Sequence, residues 1–310
     1  MNFKKPKFWD NSRLSFWSII LYPFSLLLLF ISFISKLIKT QKKFSIPIIC
    51  VGNIYIGGTG KTPLAKEIFK ITKSLGKNPA FIKKYYNYIK DEINMLEETG
   101  KTFSLKNRKD SLDALIKNGY DLAILDDGFQ DLSIYKNLNI ICFNQKQWTG
   151  NQFVIPAGPL REKLSALKKA DCILINGNKD TKIENEIYKV NESLKIFYSK
   201  YKALDVDRLK NKKICAFAGI GNPSNFFELL KEHNLNLINT FSYSDHHDYT
   251  FVELENMFKK FSDCTLLTTE KDFYRIRLDS NLKSFNIDYL KIKTEIENKD
   301  NLIKLIKDKI

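Results

Sequence analysis

The sequence predicts an α/β protein: a mainly parallel sheet core, a second, smaller α/β domain, and an N-terminal membrane-associated helix. Three observations predict it. The run Gly57-Gly58-Thr59-Gly60-Lys61-Thr62-Pro63 stands between an apolar stretch, Ile46 to Val51, and a helical pattern, Leu64 to Phe69. From Ile46 onward, short apolar runs alternate with helical patterns, as parallel strands covered by helices require. Upstream, Leu14 to Ser35 carries no charged residue over 22 positions.

The upstream segment comes first along the chain. About 20 apolar residues are enough to span a bilayer. Basic residues flank it: Lys4, Lys5, Lys7 and Arg13 before, Lys36, Lys39, Lys42 and Lys43 after. No small-residue cleavage site follows, which argues against a removed signal peptide. Serines 15, 18, 25, 32 and 35 and Pro23 interrupt the run and suit a helix lying in the membrane interface. A single span is the other membrane reading, with basic flanks on both sides leaving its orientation open. A buried core helix is the plain alternative. Residues 1–44 are assigned to this segment.

The order strand, Gly-rich turn, helix is the context of a phosphate-binding loop. Glycines let several N–H groups converge on one anion, and the helix N-terminus adds its dipole. Tyr55, Ile56, Gly57, Gly58, Thr59, Gly60, Lys61 and Thr62 are therefore the nucleotide-binding candidates. Lys61 would reach the β- and γ-phosphates and the Thr62 hydroxyl would ligate Mg²⁺. The strict pattern wants glycine at position 55, where this chain has tyrosine. A Gly-rich turn capping an ordinary helix is the simpler alternative. After the apolar run Leu122 to Leu125 comes Asp126-Asp127-Gly128-Phe129-Gln130. Ligands in open α/β sheets bind beyond the carboxyl ends of the strands, and a carboxylate there holds Mg²⁺ opposite the Lys–Thr pair. Asp126 and Asp127 are thus metal-ligand candidates. Together the two motifs make the core P-loop NTPase-like, over residues 45–204, with ATP and Mg²⁺ as implied ligands.

The remaining elements follow in order. Strands are expected at Ile46–Val51, Pro79–Ile82, Leu122–Leu125, Ile140–Phe143, Cys172–Ile175 and Lys195–Tyr198. Helices follow Thr62 and cover Ser111–Lys117 and Glu162–Lys168. A polar stretch, Tyr201 to Lys213, puts a domain boundary near residue 205. The second domain, 205–310, reads as strand Ile214–Ala218, helix Ser224–Glu232, strand Leu237–Tyr243 and helix Phe251–Phe261. Strands Thr265–Thr268 and Tyr289–Ile292 and a closing helix complete it.

The net charge of +15 attracts anions, whether nucleic acid, an acidic membrane surface or a phosphorylated substrate. No arginine-rich arm, zinc-ligand spacing or RNP-like aromatic run occurs, so no nucleic-acid partner is expected. The five cysteines are widely separated beside apolar runs and read as buried thiols, with neither a disulfide framework nor a metal site. Asn178-Lys179-Asp180 approaches the guanine-reading pattern of GTPases, but Asp180 falls one place early.

Several stretches in order carry a family resemblance. Val51-Gly52-Asn53 leads into Gly57–Pro63, then Asp126–Gln130, Pro156-Ala157-Gly158-Pro159-Leu160-Arg161-Glu162 and Ala218-Gly219-Ile220-Gly221-Asn222-Pro223. Asp245-His246 and Thr269-Glu270-Lys271-Asp272 follow. The chain resembles the tetraacyldisaccharide 4'-kinases, the lipid A 4'-kinase family, across almost its whole length, including the N-terminal segment. That family's loop likewise lacks the first glycine. The resemblance implies transfer of the γ-phosphate of ATP to the 4'-hydroxyl of a tetraacylated glucosamine disaccharide 1-phosphate. The partners implied are an anionic glycolipid and the membrane surface, at the cytoplasmic face of the bacterial inner membrane.

The resemblance also implies residue roles. His246 matches the catalytic histidine, expected to pair with Asp91 of the Asp91-Glu92 dipeptide, while Lys61 completes the catalytic set. Glu92 is a further candidate for Mg²⁺ or water. The stretch before this pair, Lys83-Lys84-Tyr85-Tyr86-Asn87-Tyr88, lacks the family's glycines, and Asp131 stands where the family commonly has histidine. Arg161, Arg108 and Gln130 are the substrate-binding candidates, guanidinium forks being suited to phosphate. His233 reads as a surface residue, and Lys271 and Asp272 as structural or inter-domain. Two rival functions remain: a membrane-associated P-loop switch NTPase and a catalytically inactive lipid-binding homologue.

Overall fold

The computed structural model describes residues 5–10, 14–38 and 40–310. Lys4, Arg13 and Lys39 of the basic flanks lie outside the described residues. In chain order the first elements are α1 (Phe16–Ile38), β1 (Ile48–Gly52), α2 (Lys61–Ser74), β2 (Pro79–Lys83), α3 (Lys90–Glu97), β3 (Thr102–Phe103), α4 (Arg108–Lys117), β4 (Leu122–Asp126) and β5 (Leu138–Asn144). Then come β6 (Cys172–Asn176), α5 (Thr181–Val190), β7 (Lys195–Ala203), β8 (Ile214–Ala218), α6 (Pro223–Glu232), β9 (Leu237–Ser242) and α7 (Phe251–Lys260). The chain ends with β10 (Thr265–Thr269), α8 (Glu270–Leu278), β11 (Ile287–Leu290), β12 (Ile292–Ile296) and α9 (Lys299–Lys309).

Among the described residues the chain forms two compact bodies. The larger takes Lys5–Lys84, Gly100–Lys200 and Thr294–Ile310; the smaller takes Tyr85–Thr99 and Tyr201–Lys293. The division differs from a single boundary near 205 in two places. Residues 85–99, expected in the nucleotide core, pack with the second body, and residues 294–310 return to the first. Two contacts fasten the returning segment within the larger body: Lys299 Nζ lies 2.6 Å from Glu67 Oε1, and Lys309 Nζ 2.7 Å from Asp171 Oδ1. Leu302 and Ile306 are fully buried there.

The larger sheet runs β12-β7-β6-β5-β1-β4-β2-β3, and β1 pairs parallel with both β4 and β5. The chain builds β2, β3 and β4 on one side of β1, then crosses to build β5, β6 and β7 on the other. Direction therefore reverses at β1, the position where such sheets open a ligand crevice. β1, β2 and β4 are buried at every position, which is why they read as continuous apolar runs without alternation. The smaller sheet, β11-β10-β8-β9, is also parallel. Along β8, Ile214, Ala216 and Ala218 enter one core and Cys215 and Phe217 another, so both of its faces are covered.

The expected helix Glu162–Lys168 is instead a short 3₁₀ turn, Leu164–Lys169. Six residues is long for a 3₁₀ run, which seldom exceeds three or four, and the segment turns to extended backbone at Ala170 without continuing as an α-helix. The structure adds three helices that the sequence reading omitted: α3, α5 and α8. The last expected strand resolves into two, β11 and β12.

Helix α1 is not a core helix. Phe16, Trp17, Ile19, Leu27, Phe30 and Phe33 are all more than half exposed, and the segment is long and apolar enough to cross a membrane. Its polar stripe faces the body. Ser18 and Ser25, seven residues apart and so on one face, are buried. Asn151 donates to Ser18 Oγ at 3.0 Å, while Ser25 Oγ donates to the Val154 carbonyl at 2.8 Å and accepts from the Ala157 N–H at 3.1 Å.

Candidate active site

The loop after β1 is shaped from within. Gly57 and Gly60 adopt left-handed φ values of 85° and 87°, conformations that suit glycine best. Asn53, fully buried, donates to the Tyr55 carbonyl at 2.6 Å and to Thr59 Oγ1 at 2.9 Å. Gly52 has no room for a side chain, since a Cβ there would stand 2.5 Å from that of Phe129. The glycine thus lets the Asp126–Gln130 segment press against the loop. No described side chain caps α2, which leaves its first-turn N–H groups available to an anion. Tyr55 turns its ring away into a small cluster with Val154 and Leu160, against which Leu29 of α1 packs. Its hydroxyl accepts from Lys5 Nζ at 2.9 Å and donates to Asp10 Oδ1 at 3.2 Å.

Cations converge on the two aspartates at the end of β4. Lys61 Nζ is 3.8 Å and Arg161 Nη1 2.8 Å from Asp127 Oδ1. Lys83, at the end of β2 and buried, lies 2.7 Å from Asp126 Oδ2, and Thr62 Oγ1 donates to the same oxygen at 2.9 Å. Asp126 is fully buried, and its Oδ1 has no hydrogen-bond partner among the described residues. Burial alone would raise the Asp127 pKa, but Lys61, Arg161 and Lys83 together hold it well below the usual carboxylate range. Burial draws the Lys61 ammonium below its own range, against the pull of Asp127. Arg108 spans the same loop from behind, with Nη2 on the Asp127 carbonyl at 2.6 Å and Nη1 on Asp131 Oδ2 at 3.2 Å. Gln130 donates to the Asn53 carbonyl at 2.8 Å. Both therefore brace the loop. Asp127 itself has φ of 62°, a strained value for a non-glycine residue and one that accumulates at functional sites.

The second cluster lies wholly within the smaller body. His246 has φ of 57°, and its N–H is held by the Gly219 carbonyl at 3.2 Å and Asp245 Oδ1 at 3.0 Å. Lys271 Nζ stands 3.0 Å from His246 Nε2, 3.0 Å from Glu92 Oε1 and 3.5 Å from Asp245 Oδ1. An ammonium only donates, so Nε2 is the lone-pair atom of the ring. Burial first, and Lys271 next, hold the imidazole below the usual histidine range against Asp245, Glu92 and Asp91. Burial works to lower the Lys271 pKa, but Glu92, Asp245 and Asp91 outweigh it, so the side chain stays charged.

Among the described residues Asp91, the partner that the resemblance implies for His246, is held by Arg275 and by the Glu92 N–H. Its Oδ2 accepts from Arg275 Nη2 at 2.6 Å and Nε at 3.1 Å, and its Oδ1 from the Glu92 N–H at 2.8 Å. Glu92 and Asp245 approach His246 Nε2, each at 3.9 Å. Glu92, expected near Mg²⁺, lies 3.0 Å from Lys271 Nζ through its Oε1. His233 caps the C-terminus of α6.

Comparison with known proteins decides the family. The model for tetraacyldisaccharide-1-P 4'-kinase matches residues 17–98 and 84–310. The tetraacyldisaccharide 4'-kinase of Pelagibacter ubique is 40% identical over 317 residues, covering 99% of this chain and 98% of the relative. The chain belongs to the tetraacyldisaccharide 4'-kinase family. The Rickettsia bellii enzyme of the same name is 31% identical, with 97% of each chain covered. Among solved structures, LpxK from Aquifex aeolicus in complex with ATP superimposes with a TM-score of 0.73 at 26% identity, covering 94% of this chain and 98% of that one.

Within this kinase the structure groups the sequence candidates into two sets. Tyr55 to Thr62, Asp126, Asp127, Arg161, Arg108 and Gln130 come together around the loop in the larger body. Asp91, Glu92 and His246 come together in the smaller. Sequence reasoning missed Lys83 and Arg275 and gave Lys271 only a structural place. Lys83 left a signal, a lone cation ending an otherwise apolar strand beside the Asp126 strand. Arg275 left none of its own, although Thr269 with Asp272 three residues later is the start signature of the helix that carries it.

Proposed function

We propose that the chain transfers the γ-phosphoryl group of ATP to the 4'-hydroxyl of a tetraacylated glucosamine disaccharide 1-phosphate. The observation that supports it most is the convergence of Lys61, Arg161 and Lys83 on Asp126 and Asp127, at the ends of β1, β2 and β4, in a chain of this family. The loop N–H groups and Lys61 bind the nucleotide phosphates. Arg161 is placed to neutralise charge on the transferring group, a role suited to a guanidinium.

The residues present fit Mg²⁺. Thr62 Oγ1 and the unpartnered, buried Asp126 Oδ1 are hard oxygen donors, as is Asp127, and Mg²⁺ typically takes one or two carboxylates plus substrate phosphates. When bound, the ion would neutralise charge on the β- and γ-phosphate oxygens.

His246 serves as the base. Its depressed pKa keeps the ring neutral, with Nε2 as the lone-pair atom, and the sugar hydroxyl competes with Lys271 for that lone pair. The 4'-oxygen forms a bond to the γ-phosphorus, the bond to the bridging oxygen of ADP breaks, and the hydroxyl proton passes to Nε2. The exposed apolar face of α1 supports a site of action at the membrane surface, and the cytoplasmic face is where ATP is available.

The test is phosphate transfer from γ-labelled ATP to tetraacyldisaccharide 1-phosphate in detergent micelles. Wild type should make labelled bisphosphorylated lipid and Lys61→Ala about 10²–10³-fold less. ATP consumption without a lipid product would move the reading to a switch NTPase.

A further inference from the structure

We infer that Arg275 is a positioning residue that sets the register between the acidic helix α3 and the loop carrying His246. The inference rests on the reading of His246 as the base. One guanidinium joins four segments of the smaller body. Nε and Nη2 take Asp91 Oδ2 on α3, at 3.1 and 2.6 Å. Nη1 takes the Gly219 carbonyl at 3.1 Å, the His247 carbonyl at 3.4 Å and Asp272 Oδ1 at 2.9 Å.

Each of these contacts bears on His246. Gly219 is the residue whose carbonyl also accepts the His246 N–H. His247 is its chain neighbour, and its carbonyl fixes the far side of the same turn. Asp91 and Asp272 are both buried, at 1% and 0% exposure. A buried carboxylate needs a charged partner, and Arg275 serves both at once. Asp272 in turn accepts from the Gly219 N–H at 2.9 Å, so the β8–α6 turn is gripped through both its N–H and its carbonyl.

The neighbouring residues of α8 extend the grip. Lys271 and Arg275 are one helical turn apart and share a face; Lys271 reaches Glu92, and Tyr274 bonds Glu98 at the other end of α3. One face of α8 thus holds α3 at Asp91, Glu92 and Glu98. Residues 85–99 leave the larger body to make this contact, and α8 is what receives them. Lysine cannot replace Arg275, because a single ammonium cannot fork onto Asp91 while also donating to Asp272 and two carbonyls.

The experiment measures phosphate transfer to the lipid by Arg275→Lys, His246→Ala and the double variant. Nucleotide-analogue affinity and hydrogen exchange are followed alongside. Arg275→Lys should lower kcat by about 10²-fold, the scale of a misplaced catalytic group. Affinity for the analogue should stay within about twofold and, in the His246→Ala background, the same change should lower kcat by less than about threefold. Exchange should rise in residues 90–97 and 245–249 and not across the larger body. If Arg275→Lys does not fold, Asp91→Asn, which removes the charge that Arg275 holds, must reproduce the pattern. Losses that multiply in the double variant, or exchange that rises throughout, would overturn the proposal and leave the base reading standing. A His246→Ala enzyme as active as wild type would remove the base reading, and the proposal with it.

Discussion

Lys271 donates to the Nε2 of His246 across 3.0 Å. A cation bonded to the atom proposed to accept the proton has a definite electrostatic effect. It disfavours imidazolium, adding to the burial that already lowers the ring's pKa, and so keeps the lone pair available near neutrality.

The first prediction follows from that sign. A base must be unprotonated, so kcat/KM falls as pH drops through the histidine pKa, which lies below the ordinary value of about 6.5. Lys271→Met removes a lowering influence, so the acid limb of the pH–rate profile should move to higher pH. A limb that stays in place, in a variant that retains activity, would show that Lys271 does not set the protonation of His246.

Lys61 is the second. It reaches toward Asp127 from the first residue of α2, beside Arg161. Lys61→Ala should lower kcat by about 10²–10³-fold, the usual loss for one preorganised transition-state donor. Steady-state assays would check it. A loss confined to KM would mean that the lysine binds nucleotide equally in the ground and transition states.

Arg108 supplies the third. Its guanidinium holds the Asp127 carbonyl and Asp131 in a largely buried setting. Arg108→Met should lower unfolding stability by about 2 kcal/mol, the range for hydrogen bonds to charged groups. Denaturant melts compared with wild type would measure it.

The fourth concerns Tyr55 and runs against the motif. Restoring the first glycine of the strict pattern, Tyr55→Gly, should weaken the protein. The ring is fully buried against Val154, Leu160 and Leu29, and emptying such a site costs about 3–5 kcal/mol. Nucleotide affinity should fall with stability, because the loop loses its support. A stabilised Tyr55→Gly protein would show that the ring carries no packing energy.

The legible part of this molecule was whatever is local. β1 and β4 announced themselves as apolar runs because both faces are covered, and Lys61-Thr62 and Asp126-Asp127 stood at their ends. The division of the chain between the two bodies was not legible, because 85–99 joins the smaller body by meeting α8, and Asp91 and Arg275 are 184 positions apart. No window along the chain contains both partners. α3 was hard to see for another reason: it has only eight residues, too few for a 3.6-residue period to declare itself. Asp91 was found but Arg275 beside it was not, since identity alone shows that a carboxylate is present and not which cation it faces.

The return of residues 294–310 to the larger body has a consequence for the order of manufacture. Domains generally fold as units as the chain emerges, N-terminal first, at about 5–20 residues per second. Here the larger body lacks α9 until residues 299–309 are made, and the smaller waits for α8 to receive a segment synthesised some 180 positions earlier. A chain stalled at residue 293 would hold the nucleotide loop, both aspartates and the histidine, yet its larger body would still lack Leu302 and Ile306. The larger body is therefore completed only by residues 294–310, and termination at residue 293 should yield an unstable product instead of a shortened kinase.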